Sequence, residues 1–167
     1  NPASHTPRYL WARFCRVYPI YFLTMAFVYL QQGGQGPVSV YVLALQSWHP
    51  NIYVIGGLNG PAWSISVEAF LYLPFPLLLP LFNKLGIFQN KGRLVALALL
   101  IVFAQFAAAV YLSMPPRDLL SPADPNSSHR WLYNFPLLRI MDFSLGILAA
   151  IYFSRHVKAG ASDKPWR

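Results

Sequence analysis

The chain has 167 residues, of which 56% are hydrophobic, 16% aromatic and only 11% charged, with a formal net charge of +8. A soluble domain carries about 25% charged residues, so the deficit argues against a water-facing surface and for one that faces lipid. The basic residues form no single patch but fall in clusters between apolar runs, which speaks against a nucleic-acid partner and matches the flanks of membrane helices. One cysteine, Cys15, excludes an internal disulfide and a cysteine-based metal site, and no metal is expected.

In chain order, Asn1 to Arg8 is polar and lacks the apolar core of a secretory signal. With no initiator Met, the chain reads as an internal part of a longer membrane protein. Four segments then qualify as spans. Phe14 to Leu30 is apolar except for Arg16 and Thr24, and is close to the minimum length. Val38 to Trp48, bracketed by QQGGQGP and HPN, is only 11 residues long. At about 1.5 Å per residue it cannot cross a core about 30 Å thick, so it is expected to be re-entrant or interfacial. Pro61 to Phe82 has the length and holds Glu68 near its start, with prolines at 74, 76 and 80. Leu94 to Met114 is uncharged over 21 residues, with Gln105 its most polar member. Pro115 to Phe135, rich in Pro, Asp, Asn and Ser, reads as a loop. Leu137 to Phe153 is the fourth span and carries Arg139 and Asp142 near its start. The expected fold is all-α: a polytopic transmembrane helix bundle of four spans and one short re-entrant or interfacial piece, all belonging to one domain over residues 1–167.

Charge orients these spans. The stretches Arg8–Arg16, Lys84–Arg93 and Arg155–Arg167 hold ten of the thirteen basic residues. Four spans put all three on one side, which the positive-inside rule makes cytoplasmic. A fifth span at Val38 to Ile55 would split them.

Glu68 is the only glutamate in the chain. If its helix begins near Pro61 on the outer face, it lies about two turns in, roughly 10 Å deep. An ionised carboxylate there costs a few kcal/mol unless it pairs or lines a polar cavity, at about 3 kcal/mol on insertion scales. Two readings stand side by side: a tether between helices, or a cavity-lining functional group. Arg139, at a similar depth in its own span, is the expected partner; Asp142, three residues on, competes for the same guanidinium. Ser64 lies one turn before Glu68 on the same face, Ser66 on another face, and Trp63 suits the interfacial aromatic belt. Arg13 and Arg16, at i and i+3, share a face. They either snorkel to lipid headgroups or form a fork for phosphates arriving from the cytoplasm. His5, His49, His129 and His156 all fall in loops or flanks and read as solvated.

Three stretches carry a family resemblance. RYLWARFCRVYPIYFL (Arg8 to Leu23) resembles the third helix of the acyltransferase-3 family of integral membrane acyltransferases, through Arg13, Arg16, Val17, Tyr18, Pro19 and Tyr21. NGPAWSISVEAFLYLPFPLLLPL (Asn59 to Leu81) is similar to that family's W-S-x-S-V-E-x-x-x-Y-L segment, through Trp63, Ser64, Ser66, Val67, Glu68, Tyr72 and Leu73. FPLLRIMDFSLGILAA (Phe135 to Ala150) is similar to a later helix, through Pro136, Arg139, Asp142, Phe143 and Gly146.

The resemblance implies an enzyme of the bacterial inner (plasma) membrane. It would move an acyl group, commonly acetyl, from cytoplasmic acyl-CoA to a hydroxyl of a sugar, glycan, glycolipid or antibiotic outside. Acyl-CoA is then a co-substrate and no cofactor stays bound. Arg13 and Arg16 would bind its phosphates, Glu68 would line the cavity and orient a partner, and Trp63, Ser64, Ser66, Arg139 and Asp142 would be cavity or structural residues. The family's general-base histidine stands on an earlier helix, and none of the four histidines here matches it. Ala69 replaces a second acidic residue that many members have. The chain alone is therefore expected to be inactive. The alternative outside enzymology is a transport or exporter subunit whose Glu68 and Arg139 line a pathway.

Overall fold

The computed structural model describes residues 2–157; Lys158, Lys164 and Arg167 of the last basic stretch lie outside them. Seven α-helices follow in order: α1 Pro2–Gln31, α2 Val38–Val42, α3 Ile52–Ile55, α4 Trp63–Tyr72, α5 Phe75–Lys84, α6 Lys91–Leu112 and α7 Pro136–Tyr152. Short 3₁₀ turns cover Gln46–Trp48 and Gly60–Ala62, and π-helical turns cover Arg130–Asn134 and Phe153–Val157. No strand occurs among the described residues.

Two helices are long and apolar enough to cross a membrane, Lys91–Leu112 and Pro136–Arg155, and they match the third and fourth expected spans closely. A third crossing is formed only if Gly60–Tyr72 and Phe75–Lys84 count together, and these are bent by 45°. The span expected over Pro61 to Phe82 is thus found as two helices, broken at Pro74. Pro74 supplies no N–H, and its ring would clash with the Phe70 carbonyl one turn back. That carbonyl instead receives the Leu73 N–H at 3.1 Å, while the Pro74 carbonyl starts α5 by accepting from Leu77 and Leu78, both at 2.9 Å. The described residues thus hold two to three segments able to cross a membrane by length and composition, and α1, the first expected span, is not one of them. α1 is long enough at 30 residues but insufficiently apolar. Arg8, Arg13 and Arg16 occupy its first half, and Tyr18, Tyr21, Thr24 and Tyr29 dilute its second.

α7 lies antiparallel to α6 and parallel to α4, and α1 lies antiparallel to α4 and α5. Two apolar clusters hold opposite ends. One joins Tyr21 and Met25 of α1 to Tyr41, Ala44, Leu58 and Ala62 of the short segments. The other joins Phe82, Ile87 and Leu94 around the α5–α6 turn to Ile147, Leu148 and Ile151 of α7. That turn is fixed locally. Gly86, at φ +69°, ends α5 in a left-handed conformation, and the N–H groups of Gly86 and Ile87 bond back to Asn83 and Phe82 at 3.0 Å. This is the Schellman pattern, with Ile87 packing on the helix it closes. A side chain at Gly86 would run into the Arg93 guanidinium. The Asn90 side chain then caps α6 by accepting from the Arg93 N–H at 3.1 Å.

The expected re-entrant or interfacial segment is broken into α2, a 3₁₀ turn and α3, none of spanning length. It is stitched to the start of α4. Gln46, fully buried, donates to the Ala62 carbonyl at 2.7 Å and accepts from Tyr21 at 3.3 Å. The Ser47 hydroxyl donates to the Trp63 carbonyl at 2.7 Å. Arg130, only 5% exposed, clamps the same segment from across the chain. Its Nε and Nη2 donate to the carbonyls of His49 and Trp48 at 3.2 and 3.1 Å. Burial pulls this guanidinium below its ordinary range, and the rings of Trp131 and Phe135 flank it at 5.7 and 5.2 Å.

These contacts gather the 38–62 segment and the π-helical turn at one end of the bundle. Lys84, Lys91 and Arg155 meet at the other. Lys91 stands over Tyr152 at 5.3 Å, Arg155 over Phe88 at 5.8 Å, and Thr6 of α1 lines one cleft with Lys84 and Phe88.

Candidate functional site

α4 carries two sets of polar residues to two different neighbours. Its N-terminal turn is preceded by Gly60–Ala62, and the Ser64 hydroxyl turns back to donate to the Pro61 carbonyl at 2.8 Å. Trp63 and Ser64 face α7, where with Arg139, Asp142 and Phe143 they line an open groove of about 860 Å³. The groove's floor is apolar and runs along α7 past Gly146 to Ser154. Trp63 packs on Tyr133, ring centroids 4.7 Å apart. Ser66 is not part of this groove. It is buried, and its hydroxyl accepts from the Ser47 N–H at 3.2 Å, so it is one of the stitches that hold the 46–48 turn.

At the groove's polar end, Arg139 and Asp142 form an ion pair at 3.1 Å. Both groups have further partners. Arg139 donates from Nε and Nη2 to the Tyr133 carbonyl at 3.2 and 2.8 Å, and Asp142 accepts from Gln105 of α6 at 2.5 Å. The expected pairing of Glu68 with Arg139 is therefore corrected: Asp142 takes the guanidinium. It is three residues away on the same helix, so helical geometry alone brings the groups together. Equal depth fixed only the height of Glu68 and Arg139 along the bundle; it did not decide which carboxylate the guanidinium would meet.

Glu68 points to the other neighbour. It is half-buried, and its carboxylate Oε1 accepts the phenolic hydrogen of Tyr72, one turn further along α4. Tyr72 in turn packs on α1. The Arg13 guanidinium carbon lies 5.5 Å from the centre of the Tyr72 ring and 5.3 Å from that of Tyr9. The Tyr9 and Tyr72 rings meet edge to face at 6.4 Å, and Tyr9 stacks on Phe75 at 5.2 Å. Arg13 and Tyr72 also line a narrow cleft of about 220 Å³ between α1 and α4, with Phe14, Tyr18, Ile65 and Ala69.

Arg13 forms no ion pair among the described residues. Arg16, expected beside it as a fork, is exposed, whereas Arg13 is half-buried. Cys15, next to both, is exposed. His49 accepts from the Asn51 N–H at 3.1 Å through Nδ1, and His129 lies against Tyr133 with ring centroids 5.1 Å apart. Neither is near Glu68.

The chain is thus a helical protein with segments long and apolar enough to cross a membrane, and it brings an arginine to the ring and a carboxylate to the hydroxyl of one tyrosine. No family model matches it, and no solved structure does. It is similar to the acyltransferase MdmB of Streptomyces mycarofaciens, at 27% identity over 159 residues, which cover 89% of this chain and 40% of that protein. The chain spans less than half the length of that relative.

Proposed function

We propose that this chain is part of a membrane acyltransferase that moves an acyl group, acetyl in the first instance, from cytoplasmic acyl-CoA to a hydroxyl of a sugar, glycan or glycolipid. The observation that carries the reading is the grouping of Arg13, Tyr72 and Glu68. An arginine without an acidic partner among the described residues and an oriented carboxylate stand together near the middle of the bundle, between the 38–62 segment at one end and Lys84 at the other. Similarity to an acyltransferase over 89% of the chain supports it, as do the three motifs that resemble the acyltransferase-3 family.

Arg13, with Arg16 on the next turn, would hold the phosphates of the donor, since a guanidinium binds phosphate oxygens in a planar fork. Glu68 would orient a partner group or accept a hydrogen bond from the acceptor. A general base, for which the resemblance calls for a histidine on another helix, takes the proton from the acceptor hydroxyl. The hydroxyl oxygen bonds to the thioester carbonyl carbon, the carbon–sulfur bond breaks, and the departing CoA thiolate takes up a proton. The groove lined by Trp63, Ser64, Arg139 and Asp142 would receive the acceptor from the opposite end. The enzyme would sit in a bacterial inner membrane with Arg8–Arg16, Lys84–Arg93 and Arg155–Arg167 on the cytoplasmic side.

The test is to load inside-out membrane vesicles containing the full-length protein with candidate hydroxyl acceptors and supply radiolabelled acetyl-CoA. Label should pass to the acceptor with stoichiometric release of CoA. Acceptor transport without CoA release would establish the exporter reading instead. Cysteine-accessibility labelling should find residues 115–135 outside and residues 83–92 inside; reaction of both from one face would overturn the sidedness.

A further inference from the structure

We propose that Tyr72 is a positioning residue that links the donor-holding arginine to the carboxylate: its ring carries Arg13 and its hydroxyl sets Glu68. The proposal rests on the acyl-transfer reading above.

One side chain serves both groups, through different atoms. The phenolic O–H donates to Oε1 of Glu68, and the i, i+4 spacing on α4 holds donor and acceptor in register. One carboxylate oxygen is thereby fixed while Oε2 has no hydrogen bond among the described residues. The ring presents its π system to the Arg13 guanidinium at 5.5 Å, and Tyr9 supports that geometry from α1. A guanidinium near an aromatic face is held by the ring quadrupole without using its N–H groups. One hydrogen bond joins Arg13 to the Tyr9 hydroxyl, and the remaining N–H groups stay available for phosphate oxygens. A direct Arg13–Glu68 salt bridge would leave neither group open, because each would satisfy the other.

The arrangement also couples the two groups electrostatically. A cation beside the ring withdraws electron density and strengthens the phenol as a hydrogen-bond donor to Glu68. Phosphates paired with Arg13 would offset that cation and weaken the same donor. Glu68 would then be a better acceptor with the donor bound than without it, which ties its readiness to occupancy of the neighbouring site.

Two substitutions separate the roles in the full-length protein in membranes. Tyr72→Phe keeps the ring and removes the hydroxyl. The expected result is a fall of about tenfold in kcat, the scale of a hydrogen bond to a charged group, with donor KM and equilibrium acyl-CoA binding unchanged. Tyr72→Leu removes both, and should add a rise of about three- to fivefold in donor KM and in the acyl-CoA dissociation constant. A double variant, Glu68→Gln with Tyr72→Phe, should be no slower than Glu68→Gln alone, because the hydroxyl acts through the carboxylate.

Wild-type kcat in Tyr72→Phe, equal donor KM in the Phe and Leu variants, or multiplying losses in the double variant would each overturn the linkage. Should Tyr72→Leu fail to fold, the Phe variant and the double variant still decide. Wild-type protein that binds acyl-CoA but transfers nothing overturns the reaction reading alone, and loss of binding in Tyr72→Leu against retention in Tyr72→Phe then supports the ring's role. Protein that neither binds nor transfers overturns both.

Discussion

Arg139 and Asp142 on α7, and Arg13 and Glu68 on α1 and α4, use the same two functional groups and arrange them in opposite ways. On α7 the guanidinium and carboxylate touch at 3.1 Å, and the Tyr133 carbonyl and Gln105 take up more of what each offers. This set is closed: charge is cancelled on the spot, and α6, α7 and the π-helical turn are tied together by it. Between α1 and α4 a phenol stands between cation and anion. Neither charge is cancelled by direct contact, and each keeps atoms unengaged. An arginine and an acid at a similar height in a bundle therefore say little by themselves. Whether they meet directly or across a third side chain decides whether the two charges are spent on each other.

The comparison is sharpened most strongly at Glu68. Glu68→Gln should fold with wild-type yield in detergent, because the amide is nearly isosteric and a neutral group is cheaper to bury. Acyl transfer should nevertheless fall about 10²-fold or more, the scale for losing a group that assists proton transfer. Gel filtration and turnover measured on the same preparation check both halves, and a well-folded, fully active variant would make Glu68 a brace like Asp142.

Next comes Arg13→Lys. An ammonium can still approach the tyrosine rings but cannot offer a planar fork to phosphate. Donor KM should rise about tenfold, about 1.4 kcal/mol, with acceptor KM steady. Arg16→Lys should change donor KM less, since Arg16 is exposed and is not seated against α4.

The smallest effect is expected at the closed pair. Asp142→Asn removes an ion pair whose aspartate side chain is 53% exposed, and Arg139 keeps its bonds to the Tyr133 carbonyl. The melting free energy should change by about 0–1 kcal/mol, and donor KM should not move. A rise in donor KM in this variant would show that the two regions are coupled after all.

Much of this was legible in the sequence, and what was not has a physical reason. α6 and α7 announce themselves as long apolar runs. The prolines at 74, 76 and 80 mark the place where the second span breaks, although uninterrupted apolar character had argued for one helix. α1 is harder to read, since its arginines and tyrosines lower its apolarity without stopping the helix. Trp63, Ser64, Arg139 and Asp142 do share a groove, while Ser66 belongs to a buried stitch whose partner, Ser47, gives no periodic signal. The pairing of Glu68 was misassigned because hydropathy gives depth but not direction around the helix. The i, i+4 relation to Tyr72 was the local signal that pointed to the actual partner. Arg130 was missed altogether: a charged residue in a polar loop reads as solvated, and only the fold shows it sealed under Trp131 and Phe135.

The break after Leu73 has an electrostatic consequence for Arg13. Because Pro74 and Pro76 have no N–H, the Phe70 and Tyr72 carbonyls lose the donors a continuing helix would have supplied, and Phe70 takes the Leu73 N–H at 3.1 Å instead. The aligned peptide dipoles of a helix leave about half a negative elementary charge at such a terminus. Arg13 meets this end of α4 through the Tyr72 ring, so backbone polarity adds a diffuse, longer-range counter-charge while no acidic side chain touches the guanidinium among the described residues. An unbroken span would spend those carbonyls on its own next turn and leave the cation only the faces of two aromatic rings. The bend at Pro74 thus lets a positive charge rest at the edge of an apolar bundle without surrendering it to a carboxylate.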